Sequence, residues 1–399
     1  MNKRVLFIGL CSGALLYGAI FSTSCNRSSR TNETTKQTSQ QQAAELLIPA
    51  PAGAGPNRDL VAEVSSSRIV AVNLDTVRQL PKTSAAAERA ASSISFQLKD
   101  DLAVTGMVQQ FEQNAAGSAI WTGTVGSSPD SFFVLVERDG NIAAHVSAPE
   151  GEFYVLPTDQ SNVYRVDQVQ TATDTGARCK VKMADKAGRR AGIAAEASPT
   201  ALRDDGKRID ILVVYTAEAE KYYGTADKLK VAVDLAEKET NLAMQKSQLD
   251  LQVKVVNIVK VSFKETLSDA DGTSDSDLDR LAKGADGKEA RDLRDANHAD
   301  QVTLLRAQGD MEGIAFLLEA PLQPESDQKE AFSALRVDNV VYKYNFTHEL
   351  GHNLGCNHNA PKTGLYRFSR GYCFDLDLWN HNVLLRGESK NPSLLQSGD

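Results

Sequence analysis

The residues with the clearest chemical potential are three histidines, a glutamate and a glycine. His348 and His352 are four positions apart, so on a helix they share one face, where two imidazoles can bind one zinc ion. Glu349 can act as a general base on a water molecule beside the metal. Gly355 tolerates the positive φ of a sharp turn, which lets His358 return as a third ligand. Three protein ligands and an open fourth position are typical of catalytic zinc sites.

Two other interpretations of these histidines are a solvated cluster and a closed structural zinc site. The pattern fixes five positions within residues 348–358, in a chain with six histidines in total. A chance match of that kind is rare. The carboxylate of Glu349 and the open ligand position favour a catalytic site over both alternatives.

The composition limits what kind of protein can carry this motif. The chain has 399 residues, of which 41% are hydrophobic, and a net charge of −8. That length is enough for two domains with separate cores, and the acidic balance argues against nucleic acid as a partner. Only one uncharged apolar run, Val5–Phe21, approaches the length needed to span a membrane. A protein with many membrane-spanning helices is therefore excluded.

Residues 1–25 have the pattern of an export signal. Lys3 and Arg4 precede the apolar run, and small residues follow it up to Cys25. A retained membrane anchor is the alternative. The segment ending at Cys25 resembles a bacterial lipoprotein cleavage site, although Ser22 stands where leucine is usual, so lipid attachment at Cys25 and free secretion are both open. The expected location is outside the cytoplasm, as a secreted protein or a cell-envelope lipoprotein.

The rest of the chain is predicted to be α+β. Residues 26–58 have the polar composition of a flexible linker. Residues 59–178 contain short alternating apolar runs, and Asp139-Gly140-Asn141 between two of them predicts a hairpin in a mostly β domain. Residues 179–207 are expected to form a switch region at Cys179 and an exposed linker.

The elements that must position the histidines begin at residue 208. Ile209–Tyr215 reads as a buried strand, Ala226–Leu249 has helical spacing, and Leu251–Val261 alternates as a second strand. Two further strands are predicted at Asp300–Leu305 and at Gly313–Leu317, the latter near the cleft. Strands and helices that alternate in this way are typical of a layered mixed domain.

The sequence resembles a known family over about residues 208–374. The motif from His348 to His358 is similar to the zinc signature of the metzincins, and Ile209–Thr216 with Gly313–Ala315 resembles the bacterial reprolysin-like (adamalysin-type) metalloendopeptidases. Asn359 stands where many relatives carry aspartate. The resemblance implies a twisted mixed sheet with long helices, one catalytic Zn²⁺, protein or peptide substrates, and a propeptide at residues 59–178.

The resemblance also suggests a role for Cys179. A thiolate there could take the open zinc position and keep the enzyme latent until the propeptide is removed, as in the cysteine switch of related proteases. Arg178, Lys180 and Lys182 would favour the thiolate. A disulfide partner and a thiol without function are the alternatives, and Cys356 and Cys373 are a second pair that could form a disulfide.

Residues 375–399 depart from the family pattern. Metzincins carry a methionine-containing turn beneath the zinc, but the last methionine here is Met311. Codons chosen for Trp379–Leu385 and read one base later give Gly-Thr-Ile-Met-Ser-Tyr, which predicts a shifted reading frame from about Phe374 or Asp375. A zinc-binding lipoprotein with impaired catalysis, and a structural protein with a fortuitous motif, therefore stay open beside the peptidase.

Overall fold

The computed structural model describes residues 43–55, 64–83, 85, 92–169, 179–183, 206–266, 276–318 and 328–358. The predicted export signal, the proposed lipidation residue Cys25, and the tail 375–399 lie outside these ranges. Among the described residues, no helix is both long and apolar enough to span a membrane. The fold is mixed α/β with more strand than helix, in agreement with the predicted class.

Ten strands form an N-terminal sheet in the order β1-β4-β5-β6-β7-β8-β9-β10-β3-β2. Neighbours are antiparallel except for β1 and β4. The strands are β1 (Ala44–Glu45), β2 (Leu47–Pro49), β3 (Val64–Val72), β4 (Ser93–Lys99), β5 (Leu102–Gln113), β6 (Ala119–Val125), β7 (Phe132–Arg138), β8 (Asn141–Ala148), β9 (Gly151–Pro157) and β10 (Tyr164–Val169). A short helix, α1 (Leu74–Gln79), follows β3.

The predicted hairpin is confirmed between β7 and β8. Arg138 pairs with Asn141, so the loop has two residues, Asp139 and Gly140, with φ of 49° and 76°. Positive φ at both loop positions is the geometry that Asp-Gly favours in a tight hairpin. The Gly140 amide also donates to Glu137 Oε1 at 2.8 Å.

A second sheet has six strands in the order β11-β15-β16-β14-β12-β13. All neighbours are parallel except β15 and β16. The strands are β11 (Cys179–Met183), β12 (Arg208–Tyr215), β13 (Gln252–Lys260), β14 (Gln301–Arg306), β15 (Gly313–Leu317) and β16 (Phe332–Arg336). From Ile209 onward every residue of β12 is buried, because a central parallel strand is covered on both faces.

The helices of this half are α2 (Ala217–Tyr223), α3 (Ala226–Lys246), α4 (Asp277–Lys283), α5 (Lys288–Ala296) and α6 (Asn345–Asn353), with single 3₁₀ turns at Gln328–Glu330, Val337–Asn339 and Tyr342–Tyr344. The four strands and the long helix predicted from Ile209 onward are confirmed within one or two residues, apart from three at the C-terminal end of α3. The segment 179–183, which starts the predicted switch region and linker, forms strand β11, which the sequence analysis did not predict. The polar sequence around it hid the strand, which is stabilised by backbone pairing with β15.

Helix α3 lies between the two sheets. Thr225 begins the helix by accepting a hydrogen bond from the Lys228 amide, and buried residues follow around most of its circumference. A single apolar cluster includes Val134 and Tyr154 of the N-terminal sheet, Leu229 of α3, and Val213 of β12. The two halves therefore share this cluster, and each half also has an apolar cluster of its own. The predicted domain boundaries stay predictions.

A buried histidine forms part of the contact between the halves. His145 Nε2 lies 2.6 Å from Glu152 Oε2, and Nδ1 lies 2.6 Å from Glu239 Oε1 of α3. The ring stacks on Tyr154, with 4.3 Å between centroids, and its edge faces Tyr344. Burial alone would lower the pKa of His145, but the charge of Glu239 and the hydrogen bond with Glu152 raise it to about 9.

This geometry predicts how stability depends on pH. The folded protein keeps a proton on His145 that the unfolded chain releases above pH 6.5, so this contribution is complete below 6.5 and is lost as the pH rises through about 9. The free energy of unfolding should fall by about 3 kcal/mol across that interval. Burial also raises the pKa of Glu239, which acts in the same direction. Urea unfolding of wild type and His145→Gln measures the effect; equal pH slopes in both proteins would contradict it.

Candidate metal centre

Helix α6 and the turn after it carry the three predicted histidine ligands. His348 and His352 are one turn apart on the helix, as their spacing predicts. Gly355 then adopts a φ of 90°, and its amide donates to the carbonyl of His352 at 2.9 Å. The Cys356 amide donates to Gly351 at 2.9 Å, and these bonds reverse the chain so that His358 returns towards the helix.

The four predicted ligand atoms converge on one point. His348 Nε2 lies 3.1 Å from His352 Nε2, 3.2 Å from His358 Nε2 and 3.2 Å from Cys179 Sγ. Cys179 Sγ lies 3.5 Å from His352 Nε2. All four atoms are within 4.8 Å of one another. The structure thus brings together side chains that are up to 179 positions apart in the chain.

These distances fit a tetrahedral zinc site. Zn–N bonds of about 2.0–2.1 Å and a Zn–S bond of about 2.3 Å give tetrahedron edges of about 3.3 Å between nitrogens and about 3.6 Å between nitrogen and sulfur. Four of the six separations, at 3.1–3.5 Å, are close to these values, and all six are within 4.8 Å. Imidazole nitrogens with a thiolate are also a donor set that zinc prefers. The residues present therefore fit one zinc ion.

The backbone sets the orientation of His352. Its Nδ1 lies 2.6 Å from the carbonyl oxygen of Cys356, which can only accept a hydrogen bond, so Nδ1 carries the proton. The lone pair of Nε2 is then directed into the cluster, as a metal ligand requires. Asn353 secures the same end of α6, because its Nδ2 donates to the carbonyls of Phe316 at 2.8 Å and Phe332 at 3.1 Å.

Glu349 is fully buried beside the cluster. Its Oε1 accepts a hydrogen bond from Cys179 Sγ at 3.0 Å, while Oε2 makes no hydrogen bond with a described residue. Burial raises the pKa of Glu349 to about 8, although the hydrogen bond from Cys179 and the charge of Arg306 act against this. A buried carboxyl with one oxygen unused has the capacity to exchange a proton with a molecule that enters the site.

Strand β11 places Cys179 in the cluster. Cys179 pairs in register with Gly313 at the start of β15, so the strand covers what would otherwise be the edge of the sheet. Lys182, which the sequence suggested would favour the thiolate, instead makes an ion pair with Asp279 of α4. Side chains alternate between the two faces of a strand, so Lys182, three positions after Cys179, points to the opposite face.

Gly313 leaves room for Glu349. A Cβ atom at this position would overlap the Glu349 carboxylate. We predict that Gly313→Ala displaces that carboxylate and, in a Cys179→Ala background where no thiol occupies the fourth ligand position, lowers peptide hydrolysis by about 10²-fold. The zinc content should be unchanged, because the histidines lie elsewhere. Gly55→Ala is the matched control, since nothing lies within 4 Å of a Cβ atom there. Equal kcat values for the two variants would show that the contact does not position Glu349.

The other predicted cysteine pair is only partly described. Cys356 forms no disulfide with any described residue, and burial raises the pKa of its thiol to about 11. Cys373 lies outside the described residues, so a disulfide between the two stays a prediction.

The sequence analysis missed several buried groups around the site. Arg306, at the end of β14, is fully buried and pairs with Asp277 at 3.1 Å. Tyr342, just before α6, donates to Asp167 of β10 at 2.5 Å. Each group looks like an ordinary surface residue in the sequence. The signal that could have revealed Tyr342 is its place three residues before α6, the helix that carries His348 and His352.

A comparison with protein families agrees with a metal centre at these histidines. Residues 205–376 match the family model Reprolysin_5, a metallopeptidase family M12 model. A search of the curated proteins found no match.

Two solved structures are similar to the chain. The crystal structure of metalloproteinase-II from Bacteroides fragilis is 11% identical, with a TM-score of 0.43, and the match covers 74% of this chain and 86% of that one. A chain from the structure of a chaperone–substrate complex is 15% identical, with a TM-score of 0.34. The match covers 62% of this chain but only about a third (32%) of the chain in that complex. The family match, together with the histidine motif inside it, identifies residues 205–376 as a reprolysin-like metallopeptidase domain of family M12.

Proposed function

We propose that the chain is an exported zinc endopeptidase that hydrolyses proteins or peptides and is held latent by Cys179. The observation that supports this most strongly is the convergence of three imidazole nitrogens and one sulfur beside a buried carboxyl. His348, His352 and His358 would hold the zinc permanently. Cys179 would hold it until the strand that carries it is displaced.

The proposed chemistry divides between the metal and Glu349. When bound, zinc supplies Lewis-acid chemistry that acidifies water and polarises a peptide carbonyl. Glu349 takes a proton from the attacking water and then delivers it to the leaving nitrogen of the peptide. The raised pKa and the unused Oε2 suit a group that must both accept and donate a proton near neutral pH.

Strand β11 provides the proposed latency. An extended peptide substrate can bind such a site by adding a strand to the free edge of a sheet. Here β11 takes the edge of β15 and carries Cys179 to the histidines. Blocking the substrate edge and the fourth ligand position together would keep the enzyme inactive.

Replacing Cys179 tests the latency directly. We expect Cys179→Ala to keep its zinc through the three histidines and to hydrolyse a short fluorogenic peptide at least about tenfold faster than wild type, because the fourth position is no longer occupied. In wild type the Cys179 thiol should resist alkylation until a chelator removes the metal. Equal rates in the two proteins, or rapid alkylation with zinc bound, would contradict the role of Cys179.

Cleavage of a casein-like substrate tests the activity itself. The proposal requires cleavage by Cys179→Ala that is blocked by a chelator and restored by zinc. Bound zinc without cleavage would instead favour the zinc-binding lipoprotein with impaired catalysis, an alternative motivated by the absence of methionine after Met311. No bound zinc would favour a structural protein with a fortuitous motif.

The proposed location is the cell envelope or the external medium. The support is the charged start, the apolar run Val5–Phe21 and Cys25 in the sequence. Mass spectrometry of the mature N-terminus separates the two forms. A lipid on an N-terminal Cys25 indicates a lipoprotein, and an unmodified N-terminal residue after Cys25 indicates secretion. An intact Met1 in the purified native protein would contradict export with signal removal.

A further inference from the structure

We propose that the N-terminal sheet (β3–β10) is a permanent layer of the peptidase, which stays bound after the chain between β10 and β12 is cut. Its partner surface is one face of α3 together with the turn that precedes α6. The inference rests on the proposed function only because it calls the second half of the chain a peptidase. The binding of the N-terminal sheet to that half does not depend on activity. Displacement of β11 would then be enough to open the site.

The first observation is a continuous stripe of contacts along α3. Lys228 Nζ donates to the carbonyls of Thr158 and Gln160, both at 2.7 Å, near the start of the helix. Lys246 lies 3.8 Å from the ring centroid of Phe132 at its last turn. The N-terminal sheet therefore contacts α3 along its whole length of 21 residues.

The middle of the stripe consists of buried charges with matched partners. Asp234, 1% exposed, lies 2.9 Å from Arg138 Nη1 and accepts a hydrogen bond from Ser118 at 2.6 Å. Glu239, 2% exposed, lies against His145 at 2.6 Å. Positive groups on the sheet face acidic groups on the helix, which fixes one orientation of the two parts.

The apolar surface around these charges supplies the driving force. Eight side chains of the N-terminal half, each at most 7% exposed, lie in the cluster that also contains α3 and β12 (Val64, Ile120, Val134, Val136, Ala143, Tyr154, Leu156 and Val169). Departure of the sheet would expose this surface and the facing side of α3 to water. Loss of contiguous apolar burial opposes such a separation.

The last observation joins the sheet to the active-site helix. Tyr342 donates to Asp167 at 2.5 Å, and Arg165 Nη2 lies 3.2 Å from the Tyr342 hydroxyl. The next two residues, Lys343 and Tyr344, have φ of 51° and 58°, a left-handed conformation that lysine and tyrosine rarely adopt. The contact with β10 therefore fixes the chain directly before this strained turn, from which α6 begins.

Cutting the chain at one engineered site tests the inference. A recognition sequence for a specific protease is inserted between residues 174 and 175 of the full chain, so that β11 stays with the C-terminal fragment. The folded protein is then cut without denaturant. We expect the two fragments to elute together in size-exclusion chromatography as the protein is diluted from about 10 μM to about 10 nM, and to separate only in denaturant. Separation at micromolar concentration would overturn the inference.

Two variants show whether the described contact is responsible. Arg138→Ala should increase the rate at which the cut fragments dissociate by at least about tenfold, because Asp234 loses its partner. Arg78→Ala removes the same charge from an exposed pair with Asp75 and should leave that rate unchanged. Equal dissociation rates would overturn the assigned surface. If the fragments elute together but bind no zinc and cleave no peptide, the result contradicts the proposed function and leaves the inference standing.

Discussion

Glu349→Gln will keep its zinc and lose peptide hydrolysis by a factor of about 10²–10⁴, the usual contribution of a positioned general base. Glutamine has the shape of glutamate and can occupy the same buried position beside the cluster. It cannot take a proton from water. The comparison is made in the Cys179→Ala background, where no thiol occupies the fourth position, by measuring kcat and metal content together.

Glu218→Gln is the matched control for this change. Glu218 is exposed in the first turn of α2, and the same substitution there should leave kcat and metal content unchanged. If Glu349→Gln hydrolyses peptides as fast as the control, Glu349 is not the general base. If it loses zinc as well as activity, its role is to support the ligands.

His352→Ala should weaken zinc binding by at least about a hundredfold, because the ion loses one of the three imidazole ligands that supply its binding free energy. Hydrolysis in the Cys179→Ala background should fall to the level of chelated protein. The loss should be larger than for a surface histidine because His352 is fully buried and its Nδ1 is already held by the Cys356 carbonyl. Metal content after dialysis against a competing chelator measures the change.

His298→Asn controls for loss of a histidine as such. His298 is exposed and has a φ of 52°, a conformation that asparagine tolerates. This variant should bind zinc as wild type does. Zinc retained to the same extent by His352→Ala would remove His352 from the ligand set.

The fold of the second half could be predicted in large part from its sequence. Ile209–Tyr215 is a continuous apolar run because a central parallel strand is covered on both sides, and this pattern survives without any tertiary information. The position of α3 between two sheets could not be predicted in the same way. Its inner and outer faces both contact protein, and several outer contacts are polar, such as Asp234 with Arg138, so they read as a solvated face.

The histidine motif was predictable because a helix and one turn bring its parts together. The spacing of four between His348 and His352, and the glycine before His358, are local rules of backbone geometry. The place of Cys179 was suggested by resemblance, but the strand that carries it depends on pairing with β15, 134 positions away. Pairing over such a distance leaves no periodic signal in a segment of five residues.

The predicted change of reading frame concerns residues beyond those described. It stays a prediction that sequencing the gene around codons 370–380 checks. A methionine-containing turn recovered in the shifted frame would restore the segment that the family resemblance implies beneath the zinc. An unchanged frame, with activity like that of family members, would show that the turn is dispensable here.

X-ray absorption at the zinc edge of the full-length, uncut protein tests the central claim most directly. Three imidazole nitrogens and one thiolate predict a shell of three nitrogens at about 2.0–2.1 Å and one sulfur at about 2.3 Å, and in Cys179→Ala the sulfur should be replaced by a light atom. A zinc ion bound without sulfur in wild type, with fewer than three imidazoles, or no stoichiometric zinc at all would contradict it.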